Sequence, residues 1–377
     1  MALDPALEPL VERVRAAAAA GAQLAIRGGG TKDFYGEAVA GEPFDVSGFS
    51  GISSYEPTEL VVTARCGTPL AELEAALAAQ GQCLPFEPPR FASASGARGT
   101  VGGTVGGMVA AGLAGPSRAA MGSVRDYVLG ATLLNGRAEV LTFGGQVMKN
   151  VAGYDVSRLL AGSMGILGVI LEVSLKVLPI APATATLRFE MDEAEALDQL
   201  AAWGRQALPL NASAWWDGTL VLRLRGAYAA VDAAIARLGG ELIEPSFAGT
   251  FWQGLRDHQD EYFAAAHAAI GASAGHAAPC ALWRLSVAPT APPLGLSGEQ
   301  LIEWGGAQRW LCTTTPAAQV REAAARAGGH ATLFAAAVKT PGVFAPLKAP
   351  LDRIHRELKK AFDPAGVFNP GRLYPGL

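Results

Sequence analysis

The sequence predicts an α+β fold, and three patterns carry that expectation. Segments with apolar residues at helical spacing are interleaved with short runs that alternate apolar and polar residues. The first part reads α-β-loop-β-α, whereas the stretch after Pro179 reads β-α-β-β-α-β. Between them lie glycine clusters that also carry Val101, Val105, Met108, Val109 and Leu113, a composition foreign to flexible linkers.

Taken in order, the first helix starts at Asp4 as N-cap with Pro5 in the first helical position. It places Leu7, Leu10, Val11 and Val14 on one face and stops at Gly21. "QLAIR" is a short strand that runs into the turn "GGGTKD". "ELVVTAR" is a second strand, followed by a helix capped by Thr68, begun by Pro69 and closed by Gly81. The run "ILGVILEVSLKVLPIAPA" is interrupted by Glu172, Lys176 and two prolines, and its "LEVSLKV" alternates with period two. It therefore reads as a strand and not as a membrane span.

After Pro179 come the strand "TATLRFEM", a helix from Asp192 to Leu208, and the strand pair in "ASAWWDGTLVLRLRG". A helix at Tyr228–Leu238 and "GELIEP" complete an order that belongs to ferredoxin-like units. A looser second half follows, with "ALWRLSVAPT", "EWGGAQRWLCTTT", a helix at Pro316–Ala327 and "HATLFAA". Pro341 to Pro350 returns to the helix "LDRIHRELKKAF" and a turn-rich tail. The expected division is 1–179, a cap at 180–345, and a returning C-terminal segment at 346–377.

A chain of 377 residues is long enough for two cores. The net charge of -4, with lysine and arginine never in runs, gives no footprint for nucleic acid. Cys66, Cys83, Cys280 and Cys312 are widely spaced, which argues against a zinc ribbon or an iron–sulfur site in this chain. They read as reduced thiols of a cytoplasmic protein. The N-terminus lacks the basic-then-apolar order of a signal peptide. The five histidines form no ligand spacing, so no metal site is expected.

The glycines suggest a ligand. In "IRGGGTK" (Ile26–Lys32) a turn follows a strand, and exposed backbone amides there suit a pyrophosphate, although the turn is neither G-x-G-x-x-G nor a P-loop. It reads equally well as a structural turn. "GGTVGGMVAAGLAG" (Gly102–Gly115) supplies a second set of residues that lets backbone approach a ligand closely. A third glycine-bearing stretch, "FGGQVMKNVAGYDVSRLLAGSMGILGVI", ends in an apolar strand. Lys149 within it either offsets phosphate charge or is a solvated surface lysine. Asp155 and Arg158 share a helix face and read as a salt bridge. The tryptophans Trp215, Trp216, Trp252, Trp304 and Trp310 read as core or interface. Three such loops together favour a large, anionic, elongated cofactor.

These residues resemble a known family. "ELVVTARCGTPLAELEAALAAQGQCLPFEPP", "TVGGMVAAGLAGP", "GSVRDYVLG", the third glycine stretch continued to "LEVSLKVLP", and the terminal "FDPAGVFNPGRLY" resemble the vanillyl-alcohol-oxidase (PCMH-type) FAD-binding proteins. Within these, they resemble the E-subunit (GlcE-type) family of bacterial glycolate oxidases. The resemblance implies two α+β subdomains clasping an extended, non-covalent FAD beneath a ferredoxin-like cap. It implies that Arg27, Gly28, Gly29, Gly30 and Thr31, with Thr104, Val105, Gly106 and Gly107, hold the pyrophosphate through main-chain donors. It adds Ala111 and Gly112 to the cofactor-binding set. Gly162, Gly165 and Gly168 would run beside the cofactor, and Val169 and Ile170 would bond it through their backbone. Asn369 and Arg372 would return toward the isoalloxazine edge, with Arg372 offsetting negative charge there. No histidine precedes His258, which excludes histidyl flavin attachment over that stretch.

The departures from the family are equally informative. Met164 and Ile166 stand where hydroxy-acid-oxidising relatives have Glu and Thr, and Gly112 stands where many have Asn. The histidine-bearing metal motifs of those relatives' caps have no counterpart, so no catalytic residue is assigned from sequence. The resemblance implies an FAD-dependent oxidoreductase subunit of a glycolate-oxidising complex, working with a D (FAD) subunit and an F (iron–sulfur) subunit. It would be cytoplasmic, or at the inner face of a membrane through those partners. A self-sufficient 2-hydroxy-acid dehydrogenase and a non-catalytic scaffold are the alternatives.

Overall fold

The computed structural model describes residues 4–92, 102–145 and 154–377; Val101, Lys149 and Asn150 lie outside the described residues. At the start, the Asp4 carboxylate accepts from the Ala6 amide at 3.0 Å and opens a 3-10 turn, Pro5–Leu7, that runs into helix α1 (Glu8–Ala20). Gly21 stops the helix with a φ of 64°, as predicted. Strand β1 (Leu24–Arg27) pairs in parallel with β2 (Glu42–Asp45), and Val11, Val14 and Ala17 of α1 share a core with Leu24 and Phe44 of this pair.

The next elements are β3 (Ile52–Glu56), β4 (Val61–Arg65), helix α2 (Leu70–Ala78), β5 (Gln82–Cys83) and helix α3 (Val105–Ala111). Short helices α4 (Arg118–Met121) and α5 (Val124–Tyr127) lead to β6 (Val128–Leu134) and β7 (Val140–Gly144). Then come α6 (Val156–Leu159), β8 (Val169–Lys176) and β9 (Leu178–Pro179). Five of these strands form a sheet in the order β3-β4-β8-β6-β7, every pair antiparallel. Leu70, Leu73 and Leu77 of α2 and Val105, Met108 and Val109 of α3 close its core. Thr68 is not the N-cap of α2. Its hydroxyl bonds the Arg65 carbonyl at 2.8 Å and accepts from the Gly51 amide at 2.9 Å, and Pro69 takes the cap position. The Asp155–Arg158 pair is present, at 3.1 Å, across α6.

The strands that follow form one sheet of eight. Its first half contains β10 (Ala183–Glu190), helix α7 (Glu193–Trp203), β11 (Leu210–Trp216), β12 (Thr219–Gly226), helix α8 (Tyr228–Leu238) and β13 (Glu241–Leu242). The Asp217-Gly218 dipeptide, with φ of 46° and 73°, makes the tight hairpin turn between β11 and β12. Helix α7 ends at Trp203, short of the predicted Leu208. Helices α9 (Pro245–Asp257) and α10 (Glu261–Ala272) precede the second half: β14 (Ala281–Ser286), β15 (Glu299–Glu303), β16 (Gln308–Thr313), helix α11 (Ala317–Arg326) and β17 (His330–Ala336).

The strand order is β13-β10-β12-β11-β15-β16-β14-β17. Numbered within each half, this is 4-1-3-2 followed by 2-3-1-4, so two ferredoxin-like units meet back to back through β11 and β15. The second half lacks a helix between its first two strands, which is why it reads as looser in sequence. The fully buried Arg309 guanidinium ties down that connection, donating to the carbonyls of Pro292 (2.8 Å), Gly306 (3.3 Å) and Ala291. "EWGGAQRWLCTTT" is accordingly not one strand, because Trp304–Gly306 turns the chain between β15 and β16. Helix α12 (Leu351–Phe362) and the tail then return to the first sheet.

One face of the eight-stranded sheet packs on the first part of the chain through Tyr35, Phe91, Leu113 and Met164. Buried within it, Glu303 accepts from Trp310 Nε1 at 2.7 Å and Gln308 Nε2 at 3.0 Å. Burial pushes its carboxyl up to about 7; the two hydrogen bonds oppose this, and Asp260 and Glu87 add to it. An acid raised from 4.5 binds a proton in the folded state that the unfolded chain has already released. Stability contributed by this group therefore falls as pH rises through that window. Glu303→Gln should remove this dependence. Between about pH 5 and about pH 8 the parent should lose on the order of 2–3 kcal/mol more than the variant, read by urea unfolding at both pH values. Parallel losses in the two proteins would contradict the assignment.

Candidate functional site

A cleft of about 540 Å³ runs through the first part of the molecule, between the end of β1, the start of α3, the turn before β8 and the tail. Its shape follows from missing side chains. A Cβ built on Gly28 would stand 2.5 Å from Thr104 Oγ1, and one on Gly103, whose φ is +82°, 2.7 Å from Thr31 Oγ1. The two glycine turns thus approach closer than any side chain allows. Thr104 caps α3, accepting from the Gly107 amide at 3.3 Å, while Gly106 lies flat against Cys66 at the end of β4.

The far wall is the start of β8. Val169 and Ile170 pair with Leu134 and Leu133 on the β6 side, but β4 begins its pairing only opposite Glu172. Strand β8 outruns its neighbour, and residues 169 and 170 line the cleft at that step. Gly165 and Gly168, with φ of +75° and +149°, bend the chain into the strand. Asn369 ties the arrangement together: its Oδ1 accepts from the Ile26 amide and its Nδ2 donates to the Met164 carbonyl, both at 2.7 Å.

Of the residues nominated from sequence, Arg27, Gly28, Gly29, Gly30, Thr31, Thr104, Gly106, Gly107, Ala111, Gly165, Gly168, Val169, Ile170, Asn369 and Arg372 line the cleft together. Val105, Gly112 and Gly162 do not. Val105 is fully buried in the core under the five-stranded sheet. Gly112 makes room for the Gly162 backbone, since a Cβ on Gly112 would meet Gly162 Cα at 2.9 Å, whereas Gly162 has a φ of +82° and donates its amide to the Val109 carbonyl at 3.0 Å. Arg372 lines the cleft and also has a structural task. Its guanidinium is committed to the carbonyls of Glu37 (2.9 Å), Lys32 (3.0 Å) and Asp33 (3.3 Å), so it fastens the loop beyond the first glycine turn. Burial lowers its pKa, with Asp33 and Glu37 opposing.

Sequence reasoning missed Lys32, which lines the cleft beside the glycine turn. Its ammonium lies 5.6 Å from the Phe91 ring centroid and 3.5 Å from Thr31 Oγ1. Burial lowers it to about 8, with Asp257 opposing. The signal was present, a lysine directly after "GGGT", but its burial depends on Phe91 arriving from elsewhere. Cys66 also lines the cleft, and burial pushes its thiol up to about 12, so it stays protonated and unreactive. The whole is an elongated groove rich in main-chain contacts, with Lys32 as a cation at its edge. It fits a phosphate-bearing ligand held chiefly by peptide amides.

Comparison with known proteins agrees with that chemistry. Residues 7–144 match the family model described as FAD binding domain. The chain is 47% identical over 370 residues to the glycolate oxidase subunit GlcE of Escherichia coli (strain K12), covering 98% of each. It is 39% identical over 66 residues to the glycolate oxidase subunit GlcD of Bacillus subtilis (strain 168), covering 18% of this chain and 14% of that one. Among solved structures, alkyldihydroxyacetonephosphate synthase superposes with a TM-score of 0.63 at 16% identity, over 96% of this chain and 75% of the other. This last likeness concerns the fold alone.

Proposed function

The chain belongs to the family of glycolate oxidase subunit GlcE, FAD-dependent oxidoreductases, and from that premise we propose that it is the FAD-carrying E subunit of a glycolate-oxidising complex. It binds FAD; among the described residues no helix is long and apolar enough to cross a membrane. Bound FAD supplies acceptance of a hydride equivalent from a CH–OH carbon and its release as single electrons. On this reading glycolate is oxidised to glyoxylate at the homologous D subunit, and electrons leave through an iron–sulfur F subunit, in the cytoplasm.

The observation that carries the reading is the double glycine approach at Gly28 and Gly103, which leaves room for a ligand only where side chains are absent. In that cleft Arg27–Thr31, with Thr104, would hold the pyrophosphate through main-chain donors, whereas Gly106 and Gly107 serve by close approach alone, because their amides are engaged with the Cys66 carbonyl (2.9 Å) and Thr104 Oγ1 (3.3 Å). Val169 and Ile170 would offer the backbone edge that β4 leaves uncovered, and FAD would be held without a covalent bond. Asn369 and Arg372 would act through position: one fixes the Ile26 amide and the Met164 turn, the other the 32–37 loop. The working division is a FAD-binding part at 1–179, a cap at 180–345 and the returning segment at 346–377.

The chain purified alone should be yellow, with a flavin spectrum that anaerobic glycolate leaves oxidised and that bleaches when the D subunit is added. Bleaching of the lone chain by glycolate or D-lactate would instead identify a self-sufficient dehydrogenase.

A further inference from the structure

Outside the cofactor cleft, among the described residues, Arg284 is a half-buried cation with no carboxylate in salt-bridge range. Arg284 stands in the middle of β14, with Trp310 of β16 opposite it on one side and Thr332 of β17 on the other. Neighbours directly across a sheet share a face. This is the face that packs against the FAD-binding part, since Trp310 and Phe334 belong to the same core as Tyr35, Phe91 and Met164. The half-buried guanidinium donates from Nη2 to the Tyr35 hydroxyl at 3.2 Å. It lies 5.8 Å from the Tyr35 ring centroid and 6.0 Å from that of Phe334.

None of these partners is an anion, and among the described residues no carboxylate comes within salt-bridge distance of Arg284. Its charge acts on three neighbouring bases. Burial first, and Arg284 after it, hold Arg118 and His330 below their ordinary ranges; burial, His267 and Arg284 do the same to His258. By contrast, the buried Arg223 faces Glu87 at 2.7 Å, and Arg256 faces Asp257 at 2.7 Å. A guanidinium held in an aromatic setting with only a phenol for a partner is set up for an anionic ligand with two oxygens in a plane.

The place is next to the cofactor cleft. Tyr35 belongs to the loop that begins with the cleft-lining Lys32, and Gly36 of that loop sits against Met164, which also lines the cleft. Phe34, 39% exposed, packs edge-on against Phe91 and Phe334 and forms the rim toward solvent.

We propose that Arg284, steadied by the Tyr35 hydroxyl, is the anchor of a small-carboxylate site on the inner face of the cap, one that takes 2-hydroxy or 2-oxo monocarboxylates. The choice of ligand class rests on the reading as a glycolate oxidase subunit, whereas the anion site rests on the uncompensated cation. It gives this chain a carboxylate-binding site of its own, whether or not oxidation occurs at the D subunit.

The test is calorimetric titration of the FAD-loaded chain with glycolate, and with glycolamide as its uncharged counterpart. The parent should bind glycolate and not glycolamide. Arg284→Met should weaken glycolate by about 10- to 100-fold, Arg284→Lys should recover part of the loss, and Tyr35→Phe should weaken it a few-fold. Unchanged binding in Arg284→Met, equal binding of glycolamide, or no glycolate binding by the yellow parent would each overturn the proposal. Flavin content, measured on every sample, reports separately on the FAD reading. Should Arg284→Met fail to fold, the Lys and Phe variants carry the same comparison.

Discussion

Replacing Gly28 with valine is expected to give a folded but colourless protein. The position has no room for a first carbon, since a Cβ would lie 2.5 Å from Thr104 Oγ1 and 3.3 Å from its Cγ2. Valine adds two further methyls, so either they occupy the cleft or Thr104 gives way. Thr104 is the N-cap of α3, and displacing it releases the Gly107 amide that forms part of the cleft wall. Both routes remove the main-chain surface proposed to hold FAD. Affinity should fall by at least about 100-fold, about 2.7 kcal/mol, enough to lose the cofactor during purification. Gly48 is the control: a Cβ there meets nothing within 4 Å, so Gly48→Ala should stay yellow. The measurement is flavin per chain after gel filtration, with circular dichroism to establish that Gly28→Val retains its fold. Stoichiometric flavin in that variant would remove the cleft as the FAD site.

The same site shows what could be read from sequence. That Gly28–Thr31 share one cleft with Thr104, Gly106 and Gly107 was legible because a glycine's reason for being glycine is local: a turn, a positive φ, a close approach. The reason was not always a ligand, however. Gly112 is glycine because a Cβ there would meet the backbone of Gly162, 50 residues on in the chain, and Gly162 because its φ is +82°, and no local pattern separates those uses from ligand contact. The ferredoxin-like order of the first half of the cap was legible from the succession of strand-like and helix-like segments after Pro179. The joining of two such units through β11 and β15 was not, because strand-edge choice has no local signature. Lys32, Glu303, Arg284 and Arg309 were missed for a related reason. A charged residue's role depends on whether it is buried and beside what, and their partners come from distant segments, as with the Tyr35 hydroxyl that reaches Arg284.

Lys359 shows the stability side of that rule, and the largest loss of stability is expected there. Helix α12 is strongly amphipathic, yet its only buried residue is this lysine. The ammonium donates to Asp363 Oδ2 and the Phe368 carbonyl at 2.7 Å and to the Ile166 carbonyl at 2.8 Å, which satisfies its three N–H groups. The fully buried Asp363 carboxylate in turn accepts from the amides of Val367 (2.9 Å) and Phe368 (2.8 Å). Burial lowers the lysine pKa, with Asp363 opposing, so the pair persists because each charge is needed by the other. It fixes the tail that carries Asn369 and Arg372 against the turn before β8.

Lys359→Met keeps the length of the side chain but leaves a carboxylate buried without its cation. Such a loss costs about 3–5 kcal/mol and should lower the melting temperature by roughly 5–15 °C. Lys359→Met/Asp363→Asn should recover part of it, since removing the orphaned charge is cheaper than keeping it, while Asn still accepts from one of the two amides. Because bound FAD adds its own stability, both variants and the parent are compared by urea unfolding at the same saturating FAD concentration. A Lys359→Met protein within about 1 kcal/mol of the parent would mean that the pair behaves as an ordinary surface bridge. The tail would then owe its place to Val367 and Phe368 packing beneath β1.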